Sequence, residues 1–137
     1  MEKMTVKPLG TLAPTDRATP WSAQRLDRSR EMPSDVRVRV LDYLTGCPVF
    51  LAWMEVTRDE IGGQFEVAGG SAIASDGVYY WRLDGIEYIR EYGIPVPHDA
   101  VAYFEARKWI VPTIERAEYI QIYRELDELF GGGEVVG

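Results

Sequence analysis

A chain of 137 residues, 46% apolar and 27% charged, has the length and balance of one globular domain able to bury a core unaided. One cysteine, Cys47, excludes an intrachain disulfide and fits a reducing compartment; with no window near the ~18 apolar residues of a membrane span and no signal-like run after Met1, the expected location is the cytoplasm. The net charge of −7 is uneven: residues 1–46 carry eight Lys/Arg against six Asp/Glu, and residues 47–137 carry seven against sixteen, so the acidic body repels nucleic-acid backbones and suits a basic partner, or serves solubility alone.

Residues 1–33 read as an extended or flexible N-terminal arm. Pro8, Pro14, Pro20 and Pro33 recur, and no apolar period is sustained. Trp21 and Leu26 are the two side chains suited to anchor the arm to the body. A single domain is expected over 34–131, followed by a loose tail at 132–137.

Ser34 and Asp35 open a helix to about Leu44, with Val36, Val40, Leu41 and Leu44 on one stripe and Gly46 beyond its end. Val36, Val38 and Val40 also alternate with arginines, as in a strand. Leu41 breaks that alternation, and the end signals favour the helix.

The run 48–56 reads as a buried strand, and 64–68 as a second. Residues 72–75 and 78–81 form a hairpin about Asp76-Gly77, a pair suited to a type I′ turn. On its second strand Tyr79 and Trp81 face one side, Val78 and Tyr80 the other. Asp84 caps a helix over 86–92 that stops at Gly93. Ile94-Pro95-Val96-Pro97 is an extended exit, because a residue before proline is pushed out of the α region. A helix follows over 100–109, with Val101, Phe104 and Trp109 inward. The last helix runs to about Phe130, with Ile114, Ala117, Ile120, Tyr123 and Leu126 inward. Grouped strands followed by helices predict an α+β fold, a small antiparallel sheet of three to four strands with helices packed on one face.

Reactive chemistry finds little purchase. His98 adjoins Asp99, but at a helix start the acid serves as a cap, and neighbouring side chains do not aim at one another. Cys47 follows a helix C-terminus, whose negative dipole end raises a thiol pKa rather than activating it. One histidine and one cysteine exclude the common zinc sites. Asp76 with Asp84 or Glu87 could hold a hard cation, though Asp76 is better explained by its turn. No pair among the sixteen acids of residues 47–137 stands out as a hydrolase dyad. The glycine pairs match neither a dinucleotide nor a phosphate loop. No metal, cofactor or catalytic residue is assigned.

Tyrosine and tryptophan are concentrated instead: Tyr79, Tyr80, Trp81, Tyr88 and Tyr92, then Tyr103, Trp109, Tyr119 and Tyr123. Most build core. A small sheet is not expected to bury both faces of one strand, so some of Tyr80, Tyr88, Tyr92 and Tyr119 are expected at the surface. There, among acids, they would resemble protein-binding anchors. The last helix adds Glu115, Glu118, Glu125, Asp127 and Glu128. That row reads as a solvated face, or as an acidic surface for a basic protein. An acidic row also imitates a phosphate track, as would suit an inhibitor of a nucleic-acid enzyme.

Tyr43-Leu44, Gly46, the segment Ser75-Asp76-Gly77-Val78-Tyr79-Tyr80-Trp81, and Tyr88-Ile89 with Tyr92-Gly93-Ile94-Pro95-Val96-Pro97 together resemble small bacterial proteins common in actinobacteria. In these a T/S-D-G-x-W/Y-x-W strand precedes a tyrosine-bearing helix and a proline exit. Several lie near polymorphic toxin genes and are thought to act as immunity proteins. The resemblance spans about residues 36–104. It departs at Tyr79, where tryptophan is commoner, at Arg82, where proline is common, and at Val96-Pro97, where Leu-Pro is usual.

The resemblance implies a non-enzymatic immunity or inhibitor-type protein that occludes a basic toxin domain. Tyr80, Tyr88, Tyr92, Glu115, Glu118 and Tyr119 are the expected contacts. The alternative is a small-molecule-binding or regulatory module of a larger bacterial assembly. A carboxylate enzyme is a third reading, and it would need two buried acids facing a cleft.

Overall fold

The hairpin around Asp76-Gly77 is the centre of the molecule. In the computed structural model, which describes residues 6–16 and 18–131, its strands are β5 (Ile73–Ser75) and β6 (Tyr79–Arg82). The remaining elements are β1 (Lys7–Pro8), α1 (Ser34–Thr45), β2 (Val49–Leu51), β3 (Val56–Arg58), β4 (Glu66–Ala68), α2 (Gly85–Tyr92), α3 (His98–Ala106) and α4 (Arg116–Phe130). The fold is α+β. A four-stranded sheet has the order β1-β6-β5-β2, and β3 and β4 form a separate antiparallel ribbon. The expected loose tail at 132–137 lies outside the described residues.

Two features of the sheet differ from the sequence expectation. It is not wholly antiparallel, because β1 joins β6 in parallel. The amides of Lys7 and Leu9 donate to the Val78 and Tyr80 carbonyls, both at 2.9 Å. Pro8 lies between them at the sheet edge, where its missing N–H faces outward and costs no ladder bond. Nor do the helices share one face. Tyr79, Trp81 and Ala74 pack into a core with α1, α2 and α3. Tyr80 and Ile73 pack on the other face with Ile122, Leu126 and Phe130 of α4. Three consecutive aromatics on β6 place apolar surface on both faces, and both must be covered.

Described residues of the segment 6–32 enter both cores, Val6 and Ala13 the second and the larger share the first. Leu9, Leu12, Ala23, Leu26 and Met32 are all buried there, and Trp21 packs against it. The apolar run 48–56 splits. The chain leaves the sheet after Leu51, and Val56 begins the outer ribbon, 62% exposed. The helix expected to reach Trp109 ends at Ala106, because Lys108 and Trp109 adopt left-handed φ of 57° and 59°; Trp109 still meets Phe104 at 6.0 Å between ring centroids.

The last helix is rotated relative to the expected stripe. Ile122, Leu126 and Phe130 face the sheet, whereas Ala117 and Ile120 are exposed. The Tyr119 hydroxyl donates to the Val49 carbonyl at 3.0 Å and its ring stacks on Phe50 at 4.2 Å. That anchor sets the inward series at 119, 122, 126 and 130, a 3.6-residue period.

The hairpin turn also has its own mechanism. Gly77 alone in the turn has positive φ, at +98°, so the connection is not type I′. Asp76 Oδ1 accepts from the amides of Val78 and Tyr79 at 2.9 and 2.8 Å, and Ser75 Oγ accepts from Gly77 N at 2.9 Å while donating to the Tyr79 carbonyl. Side-chain oxygens thus supplement the one backbone bond across the turn, from Asp76 N to the Tyr79 carbonyl at 3.2 Å.

Candidate binding site

The six expected contact residues do not share a surface. Tyr80 and Tyr88 are each 1% exposed and present nothing to a partner. Tyr80 lies between β1 and α4, its hydroxyl donating to the Pro14 carbonyl at 2.9 Å. Burial, then the charge of Asp16, pushes that phenol up to about 12. The Tyr88 hydroxyl accepts from Glu60 N at 2.9 Å, and its ring contacts Phe65, Trp21 and Tyr92. The expectation of exposure failed because both faces of β6 are covered, and because the 59–65 loop closes over α2.

Tyr92 is half-buried and donates to Asp59. Asp59 is itself buried and also accepts from the amides of Ile61, Gly62 and Gln64. Burial works to raise the Asp59 carboxyl, but these four donors outweigh it and hold the group below its ordinary value. Tyr92 and Asp59 are therefore a loop clasp. Glu115, Glu118 and Tyr119 do come together at the start of α4, with both glutamates exposed and Tyr119 half-buried. They lie across the sheet from Tyr88 and Tyr92.

The remaining reactive groups are placed structurally. Cys47 is buried and its thiol donates to the Tyr43 carbonyl at 3.3 Å. Burial, then the nearby Asp76, pushes the thiol up to about 12, so it is protonated and unreactive at neutral pH. Asp84 does not cap α2 with its side chain. Its two oxygens are taken by Arg82 at 2.9 and 2.8 Å and by Thr57 at 2.9 Å. His98 and Asp99 are both exposed at the start of α3. Among the described residues no three His, Cys, Asp or Glu side chains are grouped as a metal ion would require.

A cleft that the sequence did not reveal opens beside the second core. Its volume is about 380 Å³. Trp21 and Trp53 contribute aromatic walls, Ile73 and Phe130 an apolar floor, and Asp16, Glu55, Ser71 and Arg82 polar groups. Arg82 lies over the Trp21 ring at 4.2 Å, and Trp21 Nε1 donates to the Thr11 carbonyl at 3.0 Å. Trp53 packs its buried side against the second core. Met54, next to it, is 91% exposed. The cleft joins segments near residues 16, 21, 54, 71, 82 and 130, which no local pattern connects. The available hint was the break of the apolar run at Trp53-Met54-Glu55, where an acid and a flexible apolar side chain follow an indole.

Compared with known proteins, the chain matches no family model, no curated protein and no solved structure.

Proposed function

We propose that this protein works by binding and occluding a partner protein, as an immunity-type inhibitor of a basic bacterial toxin domain. The observation that supports this most is the exposure of two apolar side chains that adjoin cleft residues in sequence. Trp53 walls the cleft, Met54 is 91% exposed and Val56 62% exposed. An aromatic anchor beside a flexible methionine, rimmed by carboxylates, is the chemistry of a protein-binding patch. The excess of acids over residues 47–137 would steer a basic partner to it. Glu115 and Glu118 on α4 supply further exposed negative charge.

The experiment is co-expression with each toxin-like domain encoded beside the gene. The expected result is rescue of growth and a stoichiometric complex on gel filtration that weakens as salt is raised. Undiminished toxicity and no complex at low salt would overturn the proposal. A second reading, a small-molecule-binding module, draws on the cleft volume, which falls in the ~300–1,000 Å³ range of ligand pockets. A thermal-shift screen against metabolites tests it.

A further inference from the structure

We infer that the Trp53 cleft seats a basic side chain of the partner, a lysine ammonium or an arginine guanidinium. This rests on the occlusion reading and gives it a point of attachment. The two cleft tryptophans are in different states. Trp21 is complete, with Arg82 over its ring and its N–H bonded to Thr11. Trp53 is not: among the described residues it meets no other ring and no Lys or Arg. Its neighbour across the cleft shows the ligand chemistry that fits a tryptophan face, a flat cation at van der Waals distance.

The charges select the same ligand. Among the described residues Arg82 is the cationic group of the lining, and Asp84 holds its Nε and Nη2, so its charge is matched within the protein. Asp16 and Glu55 form no ion pair among the described residues. Asp16 commits Oδ1 to the amides of Ala18 and Thr19, and Glu55 commits Oε1 to Ser71. Each keeps a second carboxylate oxygen without a partner among the described residues. An anion entering here would meet two carboxylates. A cation would find them beside an open indole face, with Ile73 and Phe130 to receive the methylene stem of a Lys or Arg.

The test is a titration of the ¹⁵N-labelled full chain with Nα-acetyl-arginine amide, Nα-acetyl-lysine amide and the neutral isostere Nα-acetyl-citrulline amide, read at the indole N–H resonances. The cationic compounds are expected to shift the Trp53 signal saturably and leave Trp109 still. Citrulline should have no effect. Glu55→Gln should weaken binding about threefold, the range of a single exposed charge pair, and Glu105→Gln, at an exposed position on α3, should not change it. Equal binding of citrulline, or a Trp53 signal unmoved by either cation, overturns the inference. The two readings separate cleanly. A toxin complex that leaves the Trp53 resonance in place would sustain occlusion and refute the cleft assignment. Cation-specific shifts without any toxin complex would sustain the cleft and refute occlusion.

Discussion

The Tyr43 hydroxyl donates a 2.6 Å hydrogen bond to Asp76 Oδ2, tying the last turn of α1 to the β5–β6 turn through the core. The other oxygen of the same carboxylate organises that turn. Tyr43→Phe keeps the ring contact with Phe104, at 4.4 Å, and strands one buried carboxylate oxygen. The expected loss is about 1–3 kcal/mol, measured by urea denaturation with an unchanged m-value. Asp76→Ala, which also releases the turn amides, should cost more. A Tyr43→Phe variant as stable as the parent would show that water replaces the hydroxyl.

Stability should fall on the alkaline side. Burial, then Asp76, moves Cys47 from 9.0 up to about 12. Burial first, then a neighbouring aspartate, moves Tyr80 and Tyr92 from 10.0 up to about 12, and Tyr43 is raised further by burial and Asp76. In the unfolded chain these groups lose protons from about pH 9 upward, while the folded protein keeps them. The unfolded state then binds fewer protons, so unfolding becomes more favourable as pH rises. Denaturation midpoints should be level from pH 7 to about 8.5 and decline beyond it, with Cys47→Ala postponing the onset. A flat profile to pH 11 would contradict these burials. Asp59 works in the opposite sense. Its lowered carboxyl stabilises above the unfolded value of 3.8 and loses that contribution as pH falls through the folded value.

Gly70 is required by space rather than by backbone angle. A Cβ there would lie 1.7 Å from Thr57 Oγ1 and 3.2 Å from Asp84 Cβ. It would strike the hydroxyl that holds Asp84 at 2.9 Å, and with it the ribbon's link to Arg82. Gly70→Ala should destabilise by about 1–3 kcal/mol or more. Adding Thr57→Ala should recover part of that loss, read as a positive coupling in a double-mutant cycle.

The rotation of α4 makes a paired prediction. Leu126→Ala removes a fully buried side chain and should cost about 2–5 kcal/mol. Ile120→Ser, on the outer side at 37% exposure, should stay within about 0.5 kcal/mol. Equal losses at the two positions would mean that α4 does not hold this register.

The fold class, the hairpin at Asp76-Gly77 and the short helix ending at Gly93 were legible because each is written locally. Gly93 has the left-handed φ of 67° that a glycine stop supplies. What escaped was long-range. Pairing of Lys7–Pro8 with Tyr79 and Tyr80 has no periodic trace in two residues. The phase of α4 depends on one tyrosine reaching Val49, seventy residues away in sequence. The exposure of Tyr80 and Tyr88 was misjudged for the same reason, since it depends on covering segments distant in sequence. The cleft was invisible because Trp21, Trp53 and Arg82 meet only after the early segment has packed.

That early segment has a consequence for synthesis. Its backbone and side-chain partners are late ones: Lys7 and Leu9 bond to Val78 and Tyr80, Arg30 reaches the Val96 carbonyl, and Met32 N donates to the Gly93 carbonyl at 3.0 Å. A ribosome delivers Leu9, Leu12, Leu26 and Met32 long before the strand and exit that shelter them. The nascent chain must carry these apolar groups unsheltered until about residue 97 has emerged, and closure then joins both ends of that stretch at once. Non-local closure of this kind is slow. It makes translation, rather than the finished protein, the stage at which this chain is most exposed to aggregation and to proteases.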